Sequence, residues 1–135
     1  MKVMLDTNIL ISAALFPNGQ AAKAFSKALT PPFEPVICEY IIDEVHRKFR
    51  QKFPARTTEL EAFLFNALSC ISLVPVPKAE TEAENHIRDI KDRPILRAAV
   101  AGDIDLLLTG DKDFLESDIH SPKMVSVAEF LEKYS

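Results

Sequence analysis

Two short apolar runs in this chain each end in an acidic turn, and these turns hold the residue types best suited to chemistry. The run Val3-Met4-Leu5 is followed by Asp6, and the run Leu106-Leu107-Leu108 is followed by Thr109-Gly110-Asp111. Such runs are typical of strands in a parallel sheet covered on both faces, where ligands bind outside the carboxyl ends of the strands. If the two strands are neighbours, Asp6 and Asp111 lie close together and repel each other strongly. A divalent cation bound between them would relieve that repulsion.

Mg²⁺ and Mn²⁺ suit a site of this kind because they take hard oxygen ligands and keep some of their waters. They support phosphoryl chemistry, since they activate a nucleophile and stabilise charge on the leaving oxygen. The formal net charge of −4 argues against a protein that coats duplexes nonspecifically, because such binding needs Lys and Arg to neutralise phosphates. It does not exclude a nuclease, since acids that converge on a cation repel a phosphate less than their number suggests.

The hydrophobic pattern predicts strands that alternate with helices, and this alternation favours a parallel sheet with helices on both faces. We expect strands at residues 3–5, 35–38, 72–77, 105–109 and 124–125, the last of them at an edge. We expect helices at residues 9–15, 20–29, 39–52, 81–90 and 128–134, a helix capped by Thr57 or Thr58, and a helix that begins at Asp92 and is ended by Gly102.

Several polar residues have an ordinary role open to them as helix caps. Thr7 or Asn8 can cap the first helix, and Asp92 can cap the helix that has Pro94 in its first turn. Asp113 can cap a short helix that begins at Phe114. For Asp92 the two roles can coexist, because a helix N-terminus favours the ionised carboxylate that a metal needs.

Composition bounds the class of protein. With 135 residues, 47% of them hydrophobic and 27% charged, we expect one soluble globular domain spanning residues 1–135. The sequence has no membrane-spanning stretch and no signal peptide, so a cytoplasmic protein is expected. Cys38 and Cys70 have no metal or redox spacing and are expected to be reduced and packed. The three glycines form neither a phosphate-cradling loop nor a dinucleotide fingerprint, and the three histidines lack ligand spacing.

Four separated motifs resemble the PIN-domain family. They are Leu5-Asp6-Thr7-Asn8, Glu44 in the helix after the second strand, Asp92-Arg93-Pro94-Ile95-Leu96, and Thr109-Gly110-Asp111-Lys112-Asp113-Phe114. The chain looks most like the VapC-type toxins, the small bacterial and archaeal members of that family, and the resemblance covers nearly the whole chain. It implies a three-layer α/β/α sandwich with a mainly parallel sheet, metal-dependent ribonuclease activity, an antitoxin partner and a homodimer.

The resemblance also implies roles for individual residues. Asp6, Glu44, Asp92 and Asp111 would be the catalytic acids and the ligands of Mg²⁺ or Mn²⁺, while Thr7, Asn8, Thr109 and Asp113 would support them. The implied reaction is hydrolytic: the cation lowers the pKa of a water, which attacks an RNA phosphodiester in line and leaves a 5′-phosphate and a 3′-hydroxyl.

Two of these acids have competitors in the sequence. Glu44 lies on a helix with many charged residues, where a solvated face is the ordinary interpretation, and Glu39 and Asp43 are alternatives to it. Asp89 is an alternative to Asp92, three residues earlier in the chain. The resemblance favours Glu44 and Asp92.

A local surplus of positive charge follows Glu44 along the same helix. Its cations Arg47, Lys48, Arg50 and Lys52 form either a solvated helix face or a surface that binds the RNA backbone. Two further functions remain open at this point. One is a catalytically silent PIN-like module that binds RNA or a protein, and the other is a doubly wound phosphoacceptor domain.

Overall fold

The computed structural model describes residues 1–134, and an all-parallel sheet lies at its centre. Within those residues the sheet has five strands in the order β3-β2-β1-β4-β5. The strands are β1 (Lys2–Leu5), β2 (Glu34–Cys38), β3 (Ser72–Val74), β4 (Leu106–Leu108) and β5 (Lys123–Val125). The parallel sheet expected from the sequence is therefore confirmed, with β5 at one edge as predicted.

Helices connect the strands and flank the sheet. They are α1 (Thr7–Leu15), α2 (Gln20–Ala28), α3 (Glu39–Lys52), α4 (Thr57–Leu68), α5 (Arg93–Ala101), α6 (Lys112–Leu115) and α7 (Val127–Lys133). Short 3₁₀ helices occur at Pro54–Arg56, Ala83–His86 and Ile90–Asp92. No helix in residues 1–134 is long and apolar enough to cross a membrane.

The strand order changes direction between β1 and β4. From β1 the chain steps outward to β2 and β3, then crosses to the other side of β1 to form β4 and β5. Because parallel connections are right-handed, this reversal places helices on both faces of the sheet. It also opens a crevice at the carboxyl ends of β1 and β4, the position where open α/β sheets bind their ligands.

Strand register brings the two acidic turns to the same level. Leu5 pairs with Leu108, the last residue of β4, and the backbone N–H of Asp6 donates to the Leu108 carbonyl at 3.0 Å. The side chains of β1 from Val3 to Leu5 and all of those of β4 are buried. The turns are therefore fixed by the most buried part of the sheet.

The predicted helix at residues 81–90 is wrong. Residues 83–92 form two 3₁₀ helices separated by residues 87–89, of which Ile87 is extended and buried. Buried Glu84 binds Arg97 of α5 at 2.7 Å, and Arg93 donates to the Ile87 carbonyl at 3.0 Å. These contacts with α5 replace the hydrogen bonds that a continuous helix would make.

Smaller differences have local causes. Neither Thr57 nor Thr58 caps α4, because the 3₁₀ helix before it places Arg56 at the cap position, without a side-chain cap bond. Strand β3 ends at Val74, before Pro75, which has no N–H to extend the ladder. Cys38 is buried as predicted, whereas Cys70 is exposed, because it lies beyond the end of α4.

Two leucines at the centres of strands should differ sharply in their contribution to stability. Leu107 of β4 is fully buried, while Leu73 of edge strand β3 is 50% exposed. We expect Leu107→Ala to lower the free energy of unfolding by about 2–5 kcal/mol, because it leaves a cavity in the central sheet. Leu73→Ala should cost less than about 1 kcal/mol. Urea unfolding of both variants measures the difference, and equal losses would contradict the central position of β4.

Candidate functional site

Asp6 lies at the carboxyl end of β1 and is nearly fully buried. Its Oδ1 accepts a hydrogen bond from the Thr7 backbone N–H at 2.8 Å, and its Oδ2 accepts one from the Thr109 hydroxyl at 2.7 Å. Asp6 is thus the N-cap of α1. The predicted cap by Thr7 or Asn8 is wrong, because the helix already begins at Thr7, so both residues lie inside it.

Thr7 and Asn8 have different surroundings. The buried Thr7 hydroxyl donates to Oε1 of Glu44, and this hydrogen bond joins the start of α1 to α3. The side chain of Asn8 is exposed, and among the described residues it makes no hydrogen bond to any of the acids. The structure therefore brings Thr7, but not Asn8, to a candidate ligand.

Glu44 is the acid of α3 that faces the sheet. It is buried, whereas Glu39 and Asp43 of the same helix are exposed. Its Oε2 lies 3.6 Å from Nη2 of Arg47 and 3.9 Å from Nζ of Lys48. These two cations offset part of its charge while their side chains stay partly exposed to solvent.

Asp111 follows β4 and is held through its backbone and its side chain. Its N–H donates to the Thr109 hydroxyl at 3.0 Å, and its Oδ1 accepts from the N–H of Asp113 at 2.9 Å. Thr109 is thus shared, because it also donates to Asp6. Asp111, rather than Asp113, caps α6, so the capping role considered for Asp113 is wrong.

Asp92 is the least satisfied acid of the group. Only 7% of its surface is exposed, and its Oδ2 is the one buried side-chain polar atom without a hydrogen-bond partner in residues 1–134. It occupies the N-cap position of α5 but makes no side-chain cap bond, so a capping role does not explain it. Its pKa is raised to about 8: burial is the largest cause, and the adjoining Asp111 carboxylate and the charges of Asp6 and Asp89 act in the same direction.

The pKa of Asp6 is also raised, to about 6. Burial is the largest cause, and the charges of Glu44 and Asp111 add to it, while the hydrogen bonds from Thr109 and Thr7 oppose it. The structure thus gathers acids that oppose each other's ionisation. Buried carboxylate oxygens, one of them without a partner, are the donor set that a hard divalent cation prefers.

Asp92 also belongs to a second group of acids. One carboxylate oxygen from each of Asp89, Asp92 and Asp113 lies within 4.8 Å of the others. Asp89 is exposed, and Oδ1 of Asp113 accepts from Nε of Arg88 at 3.0 Å and lies 2.7 Å from its Nη2. In residues 1–134 these three acids converge closely enough to share one cation, and only Asp92 among them belongs to the four acids assigned from the sequence.

Sequence reasoning missed two residues beside these acids. Arg88 pairs with Asp113, and the hydroxyl of Tyr40 donates to the carbonyl of Lys91, next to Asp92. No sequence signal singles out Arg88. The signal for Tyr40 is its spacing, because it precedes Glu44 by one helical turn and so shares its face of α3.

Comparisons with known proteins agree with this architecture. A family model of the PIN domain matches residues 2–113. VapBC2 from Rickettsia felis, solved bound to a DNA fragment from their promoter, has a TM-score of 0.67 at 16% identity, with 93% of this chain and 97% of that chain covered. VapC20 of Mycobacterium tuberculosis, a Sarcin-Ricin loop cleaving toxin, has a TM-score of 0.59 at 13% identity, with 82% and 91% covered. No curated protein matches the chain. The expected α/β/α fold is confirmed.

The raised pKa of Asp92 predicts how the metal-free protein responds to pH. A carboxyl whose pKa is raised on folding stabilises the native state at low pH, and that stability is lost as the pH rises through the folded value. We expect the melting temperature of the metal-free protein to fall from about pH 4 to about pH 8 and then to level off. Above the Asp6 pKa of about 6, most of the fall belongs to Asp92. Thermal unfolding of the protein in a chelator checks this.

Two variants assign that pH dependence to Asp92. Asp92→Asn should remove most of the fall between pH 6 and pH 8, while Asn at the exposed Asp43 should leave it unchanged. Glu84 does not interfere, because Arg97 lowers its pKa to about 2 and its contribution is lost only in acid. An unaltered pH profile in Asp92→Asn would contradict the assignment.

Proposed function

This chain belongs to the PIN domain family, and we propose that it is a metal-dependent endoribonuclease that hydrolyses RNA phosphodiester bonds. The observation that carries the proposal is the buried, unpartnered oxygen of Asp92 among mutually repelling acids at the crevice between β1 and β4. We assign the cation, Mg²⁺ or Mn²⁺, to the carboxylates of Asp6, Glu44, Asp92 and Asp111.

The residues around the acids prepare them for this role. Thr109 donates one hydroxyl proton to Asp6 and accepts from the N–H of Asp111, so a single side chain sets the spacing of both acids. Thr7 likewise connects Asp6 to Glu44, since its backbone N–H donates to Asp6 and its hydroxyl donates to Glu44 of α3. When bound, the cation supplies a water of lowered pKa and stabilises the charge that develops on the phosphodiester.

The basic surface of α3 is assigned to the RNA backbone. Arg47 and Lys48 already contact Glu44, so a phosphate that approaches the acids meets these two cations first. Arg50 and Lys52, further along the helix, are exposed and available for flanking phosphates. Backbone contacts of this type give affinity without sequence preference.

We further propose that the protein is the toxin of a toxin–antitoxin pair, acts in the cytoplasm and forms a homodimer. The support is the fold shared with VapBC2 and with the toxin VapC20. If so, a small protein encoded beside this gene should co-purify with the chain and suppress its activity. Its failure to bind would remove the toxin assignment and leave the nuclease assignment intact.

Asp6→Asn tests the nuclease directly. We expect the wild-type protein to cleave a single-stranded RNA in the presence of Mn²⁺ or Mg²⁺, and we expect a chelator to abolish this cleavage. Loss of residues that only orient a metal ligand typically costs 10- to 100-fold, so loss of a ligand should lower kcat about 100-fold or more. Asp43→Asn, on the exposed face of α3, is the matched control and should remain active.

Two results would overturn the proposal. Undiminished cleavage by Asp6→Asn would remove Asp6 from the site. Absence of cation binding by the wild-type protein at millimolar Mg²⁺ and Mn²⁺, measured by calorimetry, would favour a silent module that only binds RNA or a protein.

Thr109→Val tests whether the shared hydroxyl orients the acids. Valine keeps the shape of threonine but leaves Oδ2 of Asp6 without its donor and the N–H of Asp111 without its acceptor. We expect the dissociation constant for Mn²⁺ to rise about 10- to 100-fold. Thr109→Ser retains the hydroxyl and should bind Mn²⁺ as the wild type does; equal affinities of the Val and Ser variants would contradict this role.

A further inference from the structure

Asp92 is held in a different way from the other acids of the site. Asp6 and Glu44 accept hydrogen bonds from threonine hydroxyls, and Asp111 accepts one from a backbone N–H. Oδ2 of Asp92 has no such partner in the described part of the chain. Its nearest charged neighbours are other acids, which repel its ionised form. The position of Asp92 must therefore be fixed by the backbone that carries it.

That backbone is the 3₁₀ helix Ile90–Asp92, a single turn stiffened from within by Asp89. The Asp89 carbonyl accepts from the N–H of Asp92 at 3.0 Å, and its side chain accepts from the N–H of Lys91 at 3.0 Å. These bonds fix the shape of the turn. They do not fix its place relative to the sheet, because all of them lie within the turn.

Tyr40 connects this turn to α3. Its hydroxyl donates to the carbonyl of Lys91, immediately before Asp92 in the chain. In residues 1–134 this is the one hydrogen bond between α3 and the segment from residue 81 to 92. Because Tyr40 shares a helix face with Glu44, it joins the carriers of two candidate ligands.

On its other side the turn is linked to α6 through Arg88 and Asp113. The Arg88 side chain is 74% exposed, and Glu116 lies 3.7 Å from the same guanidinium. Exposed ion pairs contribute little and are screened by salt, so this link is the weaker of the two. The hydrogen bond from Tyr40 to the Lys91 carbonyl is also exposed, but the Tyr40 side chain is half-buried and the bond involves no charge that salt could screen.

We propose that Tyr40 is a positioning residue of the cation site, whose hydroxyl holds the Ile90–Asp92 turn against α3 so that Asp92 stays beside Asp6 and Asp111. The inference rests on the proposed function, because it takes these acids as ligands of a divalent cation. In this role Tyr40 acts through the backbone that carries Asp92, since its hydroxyl donates to the carbonyl of Lys91.

The chain offers a matched pair of variants. It contains two tyrosines, Tyr40 and Tyr134, and both hydroxyls make a hydrogen bond, since Tyr134 accepts one from Lys123 at 3.2 Å. Tyr40→Phe and Tyr134→Phe each remove one hydroxyl and keep the ring. Only the first should affect the site.

Hydrogen–deuterium exchange of the metal-free proteins tests the restraint itself. We expect peptides that cover residues 88–93 to exchange faster in Tyr40→Phe than in the wild-type protein, because the turn is released from α3. Tyr134→Phe should match the wild type in this segment. Equal exchange of residues 88–93 in all three proteins would overturn the proposal, whatever their activity.

Calorimetry with Mn²⁺ tests the consequence for the cation. Loss of one hydrogen bond that holds a ligand should raise the dissociation constant of Tyr40→Phe about three- to tenfold. The affinity of Tyr134→Phe should be unchanged. The chain has two tyrosines and no tryptophan, so Tyr134→Phe leaves Tyr40 as its one tyrosine. The fluorescence of Tyr40 in that variant should change when Mn²⁺ binds to the site. Unchanged affinity in Tyr40→Phe overturns the proposal.

Cleavage kinetics separate positioning from contact with RNA. With limiting Mn²⁺, Tyr40→Phe should show a lower kcat, restored by excess Mn²⁺, and an unchanged KM for RNA. A raised KM with unaltered Mn²⁺ affinity would make Tyr40 an RNA contact and overturn its positioning role. If the wild type binds Mn²⁺, Tyr40→Phe binds it more weakly and neither cleaves RNA, the nuclease proposal fails while the positioning role stands. Absence of Mn²⁺ binding by the wild type overturns both.

Discussion

Repulsion among buried carboxylates is the constraint on which the rest of this structure depends. The crevice between β1 and β4 brings Asp6 and Asp111 together, and the hydroxyl of Thr109 contacts both residues. Hydrogen bonds to Asp6 lower its pKa, but burial outweighs them, and the pKa remains near 6. The fold thus holds acids in a place where their charges are costly. A site of this kind is favourable only when a cation or protons share the charge.

The strands and the acids that follow them were predictable from the sequence, because one pattern determines both. An uninterrupted apolar run indicates a strand buried on both faces, and the polar residues of the turn after it lie at the carboxyl end of that strand. Asp6 and Asp111 follow from this rule. Glu44 does not, because Glu39 and Asp43 on the same helix look equivalent by residue type; the structure distinguishes them by burial, and the sequence could do so only through the family resemblance.

What the sequence could not give is set by contacts between distant residues. The polar segment at 81–90 has helical composition, yet the buried pair of Glu84 and Arg97 fixes it as separate 3₁₀ helices. Helix propensity is worth only tenths of a kcal/mol per residue, so one buried ion pair with several hydrogen bonds overrides it. The role of Tyr40 could not be predicted for the same reason, because its hydrogen-bond partner Lys91 lies far away along the chain.

The acids of the site divide into a rigid set and an adjustable one. Asp6 and Asp111 follow central strands and cap the helices after them, so moving either would break backbone contacts of the sheet. Asp92 lies where a single 3₁₀ turn meets α5, and its Oδ2 makes no hydrogen bond that a shift of the side chain would break. Rigid ligands set where a cation can bind, while a movable one adapts the distances to the ion that arrives. In the cation site that we propose, affinity therefore depends most on how firmly Asp92 is held beside the sheet.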